Sequence, residues 1–418
     1  MVFLYIRPAT LLNMASENQF DAVIVGGGII GLATAMAVQK QLPHLRVLVV
    51  EKEERVAAHQ TGHNSGVIHS GLYYKPGSLK ARMAVEGAAR MAGFCRDHAI
   101  PYKICGKVVV ATSEAELAPL DELYRRGTAN GVPHLSMLTA EQLREIEPHG
   151  AGIRGLRVPG TGITDYVAVA NQYAEIVIAN GGTVLTRTKA IGIVKRRGET
   201  MVETTRGDFS CRWLINCAGL HSDRIARLAG AETGAIIVPF RGEYYDIAPE
   251  RWGLVKGLIY PVPDPKFPFL GVHFTRRIRG GVEAGPNAVL AFQREGYRKT
   301  DFNLRDSVET LSYPGFWRMA AKYWTEGAKE YYRSLSKGAF LRALQRFLPE
   351  LTEADLRPGG SGVRAQALDR EGKLLDDFHI VHAPGIVNVV NVPSPAATAS
   401  LVIGERIAEM LGEEISHS

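Results

Sequence analysis

The first part of the chain alternates between short apolar runs and glycine-rich turns. Residues 21–25 (DAVIV) form an apolar run rich in β-branched side chains that ends at glycine, which is typical of a buried parallel strand. An alanine-rich apolar stretch over 29–39 predicts a helix, and residues 46–50 (RVLVV) predict a second strand. The order strand, glycine turn, helix, strand therefore predicts a βαβ unit of a parallel sheet.

The turn of this unit carries the glycine spacing of a dinucleotide-binding site. Gly26, Gly28 and Gly31 match G-x-G-x-x-G. In that motif the first glycine allows the tight turn, the second lets the backbone approach a pyrophosphate, and the third lets the helix pack against the strand. Glu51 ends the second strand, where a carboxylate can accept hydrogen bonds from ribose hydroxyls. The motif and its context predict dinucleotide binding, and the alternative is a glycine-rich turn in an unrelated α/β unit.

Three further segments favour FAD over NAD. A long polar, glycine-rich loop with His59, His63 and His69 precedes a helix predicted to begin near Ser78, where an NAD domain would continue into another α/β unit. Residues 184–219 predict short strands joined by tight turns, typical of a small antiparallel layer over the sheet. A C-terminal strand (386–392) and a helix (396–411) predict a helix N-terminus that faces the flavin ring, or else an ordinary closing helix.

Composition and charge exclude several classes of protein. Hydrophobic residues make up 46% and charged residues 22%, which excludes a disordered chain or a small disulfide scaffold. The formal net charge of +6 is spread along the chain, so we expect no nucleic-acid partner, whereas an acidic substrate or an anionic membrane surface remains compatible. The uncharged run 22–38 contains the glycine turn and is short for a membrane span. The cysteines show neither metal-ligand nor redox spacing, so we expect no metal and a reducing compartment: Cys95, Cys105, Cys211 and Cys217.

The blocks HNSGVIHSG (63–71), FRGEYY (240–245) and GVRAQALDR (362–370) are more specific than the glycine motif. Through these and the motifs given below, nearly the whole chain, residues 20–404, resembles the FAD-dependent oxidoreductases of the D-amino-acid-oxidase type, and within them the L-2-hydroxyglutarate dehydrogenase/oxidase family. The resemblance implies an α/β fold in which a Rossmann-like FAD-binding domain joins a discontinuous α+β substrate domain built on an antiparallel sheet. The implied FAD domain comprises 20–87, 150–235 and 357–411, and the substrate domain 88–149 and 236–356. The motifs that carry the resemblance include GGGIIGLA (26–33), HNSGVIHSG (63–71), TGITDY (161–166), NCAGLHSDRI (216–225), FRGEYY (240–245), GVRAQALDR (362–370) and PSPAAT (393–398).

The family resemblance implies oxidation of L-2-hydroxyglutarate to 2-oxoglutarate by hydride transfer to FAD, with electrons passed on to quinone or oxygen. An amine or amino-acid oxidase, or a glycerol-3-phosphate-type dehydrogenase, is the alternative enzyme on the same fold. A flavoprotein scaffold or redox sensor is the alternative without catalysis. The implied location is cytoplasmic, with peripheral contact to the inner face of the cytoplasmic membrane left open.

The implied reaction needs a base for the hydroxyl proton and cations for two carboxylates. Histidine has a suitable pKa, and we favour His69 over His273 as the base. Arg364 is the first choice for a carboxylate and Arg241 the second. Tyr244, Tyr260 and Lys256 are further donors. The residues assigned to the cofactor, which we expect to be bound non-covalently, are Gly26, Gly28, Gly31, Glu51, Lys52, His63, Asn64, Ser65, Ala218, Gly219, Ser394, Ala396, Ala397 and Thr398.

Overall fold

The computed structural model describes residues 18–196, 198–264 and 270–416. The apolar run 2–6 near the N-terminus, for which an extended start and a surface-associating tail were both open, lies outside these residues. The strands are β1 (Gln19–Val25), β2 (Val47–Val50), β3 (Val67–Ile68), β4 (Tyr102–Ile104), β5 (Lys107–Ala111), β6 (Ser136–Thr139), β7 (Arg154–Val158), β8 (Gly162–Thr164), β9 (Thr183–Leu185), β10 (Ala190–Arg196), β11 (Glu199–Thr204), β12 (Gly207–Asn216), β13 (Ala235–Ile247), β14 (Leu258–Pro261), β15 (His273–Arg276), β16 (Val282–Gly285), β17 (Val289–Leu290), β18 (Leu356–Asp369), β19 (His379–Ala383) and β20 (Ile386–Asn391).

The helices connect and cover these strands. They are α1 (Ile29–Gln41), α2 (Leu79–Asp97), α3 (Leu117–Ala129), α4 (Ala140–Ile146), α5 (Tyr166–Ala179), α6 (Ser222–Leu228), α7 (Leu304–Leu311), α8 (Pro314–Lys322), α9 (Trp324–Leu335), α10 (Lys337–Gln345) and α11 (Ser400–Ser416). None of the described helices combines the length and the apolar character that crossing a membrane would require.

The first sheet contains the predicted βαβ unit. Its strand order is β10-β11-β12-β1-β2-β9, and β20 pairs with β12 and β19 with β20. β1 is parallel to both β2 and β12, so it lies in the centre of the sheet. Helix α1 buries nearly all of its circumference because it packs between this sheet and helices α5 and α11. A wholly apolar helix is stable only in such a position.

The antiparallel strands β10 and β11 continue the first sheet beyond β12, whereas the sequence predicted an antiparallel layer that covers the sheet. Val202 and Phe209 from these strands pack in one buried cluster with Val23 of β1 and Leu48 of β2. β12 is antiparallel to β11 and parallel to β1, so it joins the antiparallel strands to the parallel part of the same sheet. The first strand predicted in the segment 184–219 is two separate strands: β9, which pairs with β2, and β10.

The second sheet has the order β17-β13-β16-β15-β14-β5-β7-β6, with β18 paired to β13. Its pairs are antiparallel except β14 with β5. The long β13 and β18 pair over most of their length, and α10 buries Phe340 and Leu344 against the sheet. Strands β3, β8 and β4 form a small third sheet. The α/β architecture with a second, mainly antiparallel sheet agrees with the predicted fold class.

Several predicted boundaries differ from the observed elements. β7 and β18 belong to the second sheet although both were assigned to the FAD domain, and α2 packs in the core of the first sheet although residues 88–97 were assigned to the substrate domain. The helix predicted over 305–323 is two helices, because Pro314 has no N–H to continue the first one and starts the next. The C-terminal helix begins at Ser400 rather than residue 396.

Candidate active site

A cavity of about 1020 Å³ is lined by residues of both large sheets. It brings together all the predicted cofactor residues except Gly31, together with the substrate-side residues His69, Tyr244, Tyr260, His273 and Arg364. Arg241 and Lys256 are not among the described residues that line it. The cavity therefore joins the dinucleotide motif to most of the residues that were predicted for chemistry.

The glycine turn is closed by contacts that leave no room for a side chain. Gly26 has φ +116°, and a Cβ there would lie 2.4 Å from the carbonyl oxygen of Cys217. A Cβ on Gly31 would lie 2.0 Å from the carbonyl oxygen of Gly26, so Gly31 permits the close packing of α1 and stands behind the cavity wall. Gly28 precedes α1 and lines the cavity, where the free N–H groups of the helix can bind an anion.

Glu51 is held at the end of β2 by the backbone. One carboxylate oxygen accepts a hydrogen bond of 2.8 Å from the N–H of Gly27, and the other accepts one of 2.9 Å from the N–H of Glu53. Each carboxylate oxygen can accept more than one hydrogen bond, so Glu51 can both brace the glycine turn and accept from a ribose hydroxyl. The predicted cofactor role is compatible with this geometry.

The loop after β2 is ordered by its own side chains. Thr61 accepts a hydrogen bond of 3.0 Å from the N–H of Ile29 at the start of α1. The amide of Asn64 donates to the carbonyl of Thr61 at 2.7 Å and accepts from the N–H of Gly66 at 2.8 Å. The ring of His63 stacks on that of Tyr297 with 3.9 Å between centroids, and burial lowers the pKa of His63.

Lys52 lies within a group of acidic and imidazole side chains. Its ammonium is 2.7 Å from Glu295 and 2.8 Å from Nε2 of His59, and it also contacts Glu53. Burial lowers the pKa of Lys52, but its hydrogen bonds to Glu295 and Glu53 outweigh that effect and raise it. Glu53, His59 and Glu295 together have the spacing of a cation site, and the lysine ammonium already supplies the positive charge there.

His69 and His273 line the cavity as neutral imidazoles. Burial, and then the charges of Lys107, His273 and Lys80, lower the pKa of His69 to about 3. Burial lowers the pKa of His273 to about 3 despite its hydrogen bond to a backbone carbonyl. Nδ1 of His273 is 2.9 Å from the carbonyl oxygen of Gly271, whereas Nδ1 of His69 is buried and has no hydrogen-bond partner among the described residues. Both side chains are therefore neutral at neutral pH in the free protein, and a bound anion would have to raise their pKa values before either held a proton.

Arg241 and Lys256, the two predicted basic residues that do not line the cavity, make other contacts: Arg241 through its side chain and Lys256 through its backbone. Arg241 is buried and donates to Glu243 at 2.9 Å and 3.1 Å and to the carbonyl of Arg298 at 3.0 Å. Its assignment to a substrate carboxylate therefore needs correction, because its positive charge is already neutralised by a carboxylate on the same strand. Lys256 is exposed, and its backbone N–H binds Glu147.

Several residues on or behind the substrate side of the cavity were not predicted from the sequence. Tyr73, Tyr74 and Lys80 line it, and the ring of Tyr74 lies 5.0 Å from the Lys80 ammonium. Lys107 is 3% exposed and lies behind Tyr73 and Tyr260. The pair Tyr73 and Tyr74 stands inside the HNSGVIHSGLYYKP segment, so its position beside His69 was the available signal. Lys107 begins an apolar strand, where a lysine is ordinarily a solvent-facing end.

The residues present fit an FAD molecule. The cavity is at the upper end of the usual range for small-molecule sites, as a whole dinucleotide requires. The glycine turn and α1 supply backbone donors for a diphosphate, and Glu51 supplies an acceptor for a ribose. The turn 393–398 lines the same cavity, and Thr398 there accepts from the N–H of His69 at 3.0 Å. These contacts place the cofactor residues and the candidate base around one space.

The comparisons with known proteins agree with this geometry. The protein-family profile described as FAD dependent oxidoreductase matches residues 21–410. An L-2-hydroxyglutarate dehydrogenase of Indibacter alkaliphilus is 52% identical over 391 residues, which cover 93% of this chain and 98% of that protein. The mitochondrial L-2-hydroxyglutarate dehydrogenase of Homo sapiens is 46% identical over 94% of this chain and 89% of its own length. The L-2-hydroxyglutarate dehydrogenase of Escherichia coli K12 is 45% identical, covering 93% of this chain and 92% of its own.

Solved structures show the same fold at lower identity. FAD-bound L-alpha-glycerophosphate oxidase from Mycoplasma pneumoniae matches with a TM-score of 0.78 and 24% identity over 94% of this chain and 95% of its own. Glycine oxidase from Geobacillus kaustophilus matches with a TM-score of 0.72 and 17% identity over 95% of each chain. The family profile spans nearly the whole chain, and its description names FAD, the cofactor predicted from the sequence. The chain belongs to the FAD-dependent oxidoreductase family.

Proposed function

We propose that this enzyme oxidises L-2-hydroxyglutarate to 2-oxoglutarate. The observation that carries the proposal is the single cavity in which the dinucleotide turn, His69, His273 and Arg364 meet. A hydroxy diacid needs a base at one point and cations at two, and the cavity wall offers both kinds of group. The relatives that are similar over most of the chain and bear the name L-2-hydroxyglutarate dehydrogenase support this substrate over the alternatives.

His69 accepts the proton of the substrate C2 hydroxyl in this proposal. Its Nδ1 is the buried ring nitrogen without a partner among the described residues, and a base must be neutral before it can accept a proton. Bound FAD supplies the hydride acceptor. A dianionic substrate raises the pKa of His69 on binding, because an opposite charge favours the imidazolium. His273 is the second candidate, since an Nδ1–H donated to Gly271 leaves its Nε2 free to accept.

Arg364 binds the substrate carboxylate next to the reacting carbon. It lies on β18 and lines the cavity. Its charge lowers the pKa values of His273 and Tyr244, so both side chains are within its electrostatic reach. Its planar guanidinium can hold a carboxylate through two parallel hydrogen bonds. Burial raises the pKa of Tyr244 to about 12, so its hydroxyl stays protonated and can donate to the same carboxylate.

Anaerobic titration tests the reaction and its stereochemistry. We expect L-2-hydroxyglutarate to bleach the flavin absorbance of the holoenzyme, whereas D-2-hydroxyglutarate, glycine and glycerol 3-phosphate leave it unchanged at equal concentration. The comparison of glycine and glycerol 3-phosphate separates the two alternative enzyme classes. Bleaching by the D form alone, or by glycerol 3-phosphate alone, would contradict the proposed substrate, and a holoenzyme that no small acid reduces would favour a redox scaffold.

Helices α7 to α9 form an exposed aromatic surface, which we propose docks on a membrane. Trp317 is 59% exposed, Trp324 68% and Leu335 80%. Exposed apolar side chains in such number are unusual for a surface in contact with water alone. The exposed positive residues Arg305, Arg318, Lys322 and Lys329 lie on the same helices. Aromatic and basic side chains together suit an anionic lipid surface. An enzyme docked there could pass its electrons to a quinone in that membrane.

Replacing Trp317 and Trp324 by serine together should weaken sedimentation with anionic phosphatidylglycerol vesicles by about 10-fold, because two large apolar side chains leave the lipid interface. Ile178→Ser is the matched control, since Ile178 is 45% exposed on α5, which packs against α1, and does not line the cavity. Equal sedimentation of the double variant and the control would exclude this surface. Turnover as fast with dissolved oxygen as with a vesicle-borne quinone would favour oxygen as the acceptor.

A further inference from the structure

Lys107 is a buried cation without a counter-ion among the described residues. It is 3% exposed, and its ammonium lies 4.4 Å from the ring centroid of Tyr73 and 4.9 Å from that of Tyr260. An ammonium carries three donors and loses much solvation when it is buried, so such a group is rare unless an anion compensates it. The described residues supply only the faces of two aromatic rings.

The hydroxyl of Tyr73, whose ring faces the Lys107 ammonium, also lacks a hydrogen-bond partner among the described residues. This hydroxyl is buried, and the side chain lines the cavity. Tyr260, which also lines the cavity, packs on the ring of His273 with 3.9 Å between centroids. Lys107 is not among the described residues that line the cavity, and the cavity-lining Tyr73 and Tyr260 lie in front of it. An unpaired donor on the cavity wall therefore stands before an unpaired cation, beside one of the two candidate bases.

We propose that Lys107 and Tyr73 form the subsite for the substrate carboxylate farther from the reacting hydroxyl, with Tyr73 donating a hydrogen bond and Lys107 supplying the charge. This inference rests on the proposed function. It makes the two residues the determinants of a preference for dicarboxylates over monocarboxylates.

The location of the two cations supports this division of roles. Arg364 is on the cofactor side, because its neighbour Gly362 packs so closely that a Cβ there would lie 2.3 Å from the carbonyl oxygen of His63. Lys107 projects from β5 into the apolar cluster of the second sheet that contains Val109 and Tyr260. The charges of Arg364 and Lys107 both lower the pKa of His273, so each cation lies within electrostatic reach of the ring. A substrate lying past His273 can present one carboxylate to Arg364 and the other to the Tyr73 hydroxyl, with the Lys107 charge behind the Tyr73 ring.

The charge state of Lys107 makes the subsite sensitive to pH. Burial lowers the pKa of Lys107 to about 7. The titratable groups nearest to it stay neutral around that pH, since burial raises the pKa values of Tyr73 and Tyr260 and lowers those of His69 and His273. An anion favours the charged lysine, so dicarboxylate affinity should fall as the pH rises through the pKa of Lys107.

Calorimetry on the oxidised holoenzyme tests the subsite without turnover, with glutarate as the dicarboxylate and pentanoate as the monocarboxylate. We expect Lys107→Met to weaken glutarate binding about 100-fold and Tyr73→Phe about 10-fold, while pentanoate binding stays within about 2-fold of wild type. Lys107→Arg should restore part of the glutarate affinity and remove the fall above pH 7. Lys103→Met, which changes an exposed lysine nearby, should leave both affinities unchanged.

Stability provides a second readout. Lys107→Met should raise the melting temperature, because it removes an unpaired buried charge and keeps a side chain of similar length. Equal affinity of wild type for glutarate and pentanoate, or equal losses for both ligands in Lys107→Met, would overturn the subsite. A holoenzyme that binds glutarate through Lys107 but is not reduced by L-2-hydroxyglutarate would instead contradict the proposed function alone.

Discussion

His69→Asn should lower the rate of flavin reduction by L-2-hydroxyglutarate by about 10²–10⁴-fold, which is the usual contribution of a general base. Asparagine is a neutral side chain of similar size that cannot accept the hydroxyl proton at neutral pH. The hydrogen bond from residue 69 to Thr398 comes from the backbone, so the variant keeps the local fold. Stopped-flow absorbance under anaerobic conditions measures the rate directly.

The matched variant is His273→Asn. It should lower the reduction rate less than His69→Asn and should weaken substrate binding, because His273 packs on Tyr260, whose ring faces Lys107 of the proposed carboxylate subsite. FAD content and glutarate affinity should be unchanged in His69→Asn, which separates a chemical defect from a folding defect. A larger loss of rate in His273→Asn than in His69→Asn would reverse the assignment of the base.

Arg294→Met should destabilise the protein by about 3–5 kcal/mol, because it leaves a buried carboxylate without its counter-ion. Arg294 and Asp223 are each 2% exposed. Arg294 donates to Asp223 at 2.9 Å and to the carbonyl of Leu220 at 2.7 Å. Asp223 also accepts from the N–H of Ile237 at 3.1 Å, so the pair joins α6 to the start of β13. Differential scanning fluorimetry should show a fall in melting temperature of about 5–10 °C.

The sign of the pH dependence provides an independent check. Burial raises the pKa of Asp223, but the hydrogen bonds and charge of Arg294 outweigh it and lower the pKa in wild type. The pair therefore stabilises the wild type above the ordinary aspartate pKa, and this stabilisation is lost as the pH falls. Without Arg294 the effect of burial is opposed only by the Ile237 N–H and the charge of Arg227, so the pKa of Asp223 rises and the defect of Arg294→Met should shrink on acidification. Arg406→Met breaks an exposed pair with Glu409 and should cost about 0–1 kcal/mol; equal losses in both variants would contradict the argument.

The βαβ unit and its glycine turn were predictable because their determinants are adjacent in the chain. The position of Gly26 depends on a backbone angle that other residues rarely adopt, and β1 is apolar because it lies in the middle of a parallel sheet. The motif blocks of the family also indicated FAD and the oxidoreductase class, which the family profile confirmed. The roles of His69, His273 and Arg364 remain predictions, and the structure adds that all three face one cavity.

The sequence itself contained evidence against assigning Arg241 to a substrate carboxylate. Its partner Glu243 is two residues along the same strand, and side chains at that spacing lie on the same face. The alternation of β13 therefore predicts this ion pair and argues against a free guanidinium. By contrast, the exposed aromatic side chains of α8 and α9 became evident only from the packing of α7 to α9.

Taken alone, the amino-acid sequence determined the dinucleotide turn, the strand and helix that flank it, and the family's chemistry, because each depends on short contiguous patterns of residue type. Only the tertiary structure decided that the buried ammonium of Lys107 has no counter-ion among the described residues. Arg241 and Lys107 differ in their counter-ions, and Lys107 meets Tyr73 and Tyr260 through the pairing of β5 with β14 and the loop before α2. A buried charge is defined by neighbours that are distant in the chain, so strand pairing and packing determine whether it remains available to bind an anion.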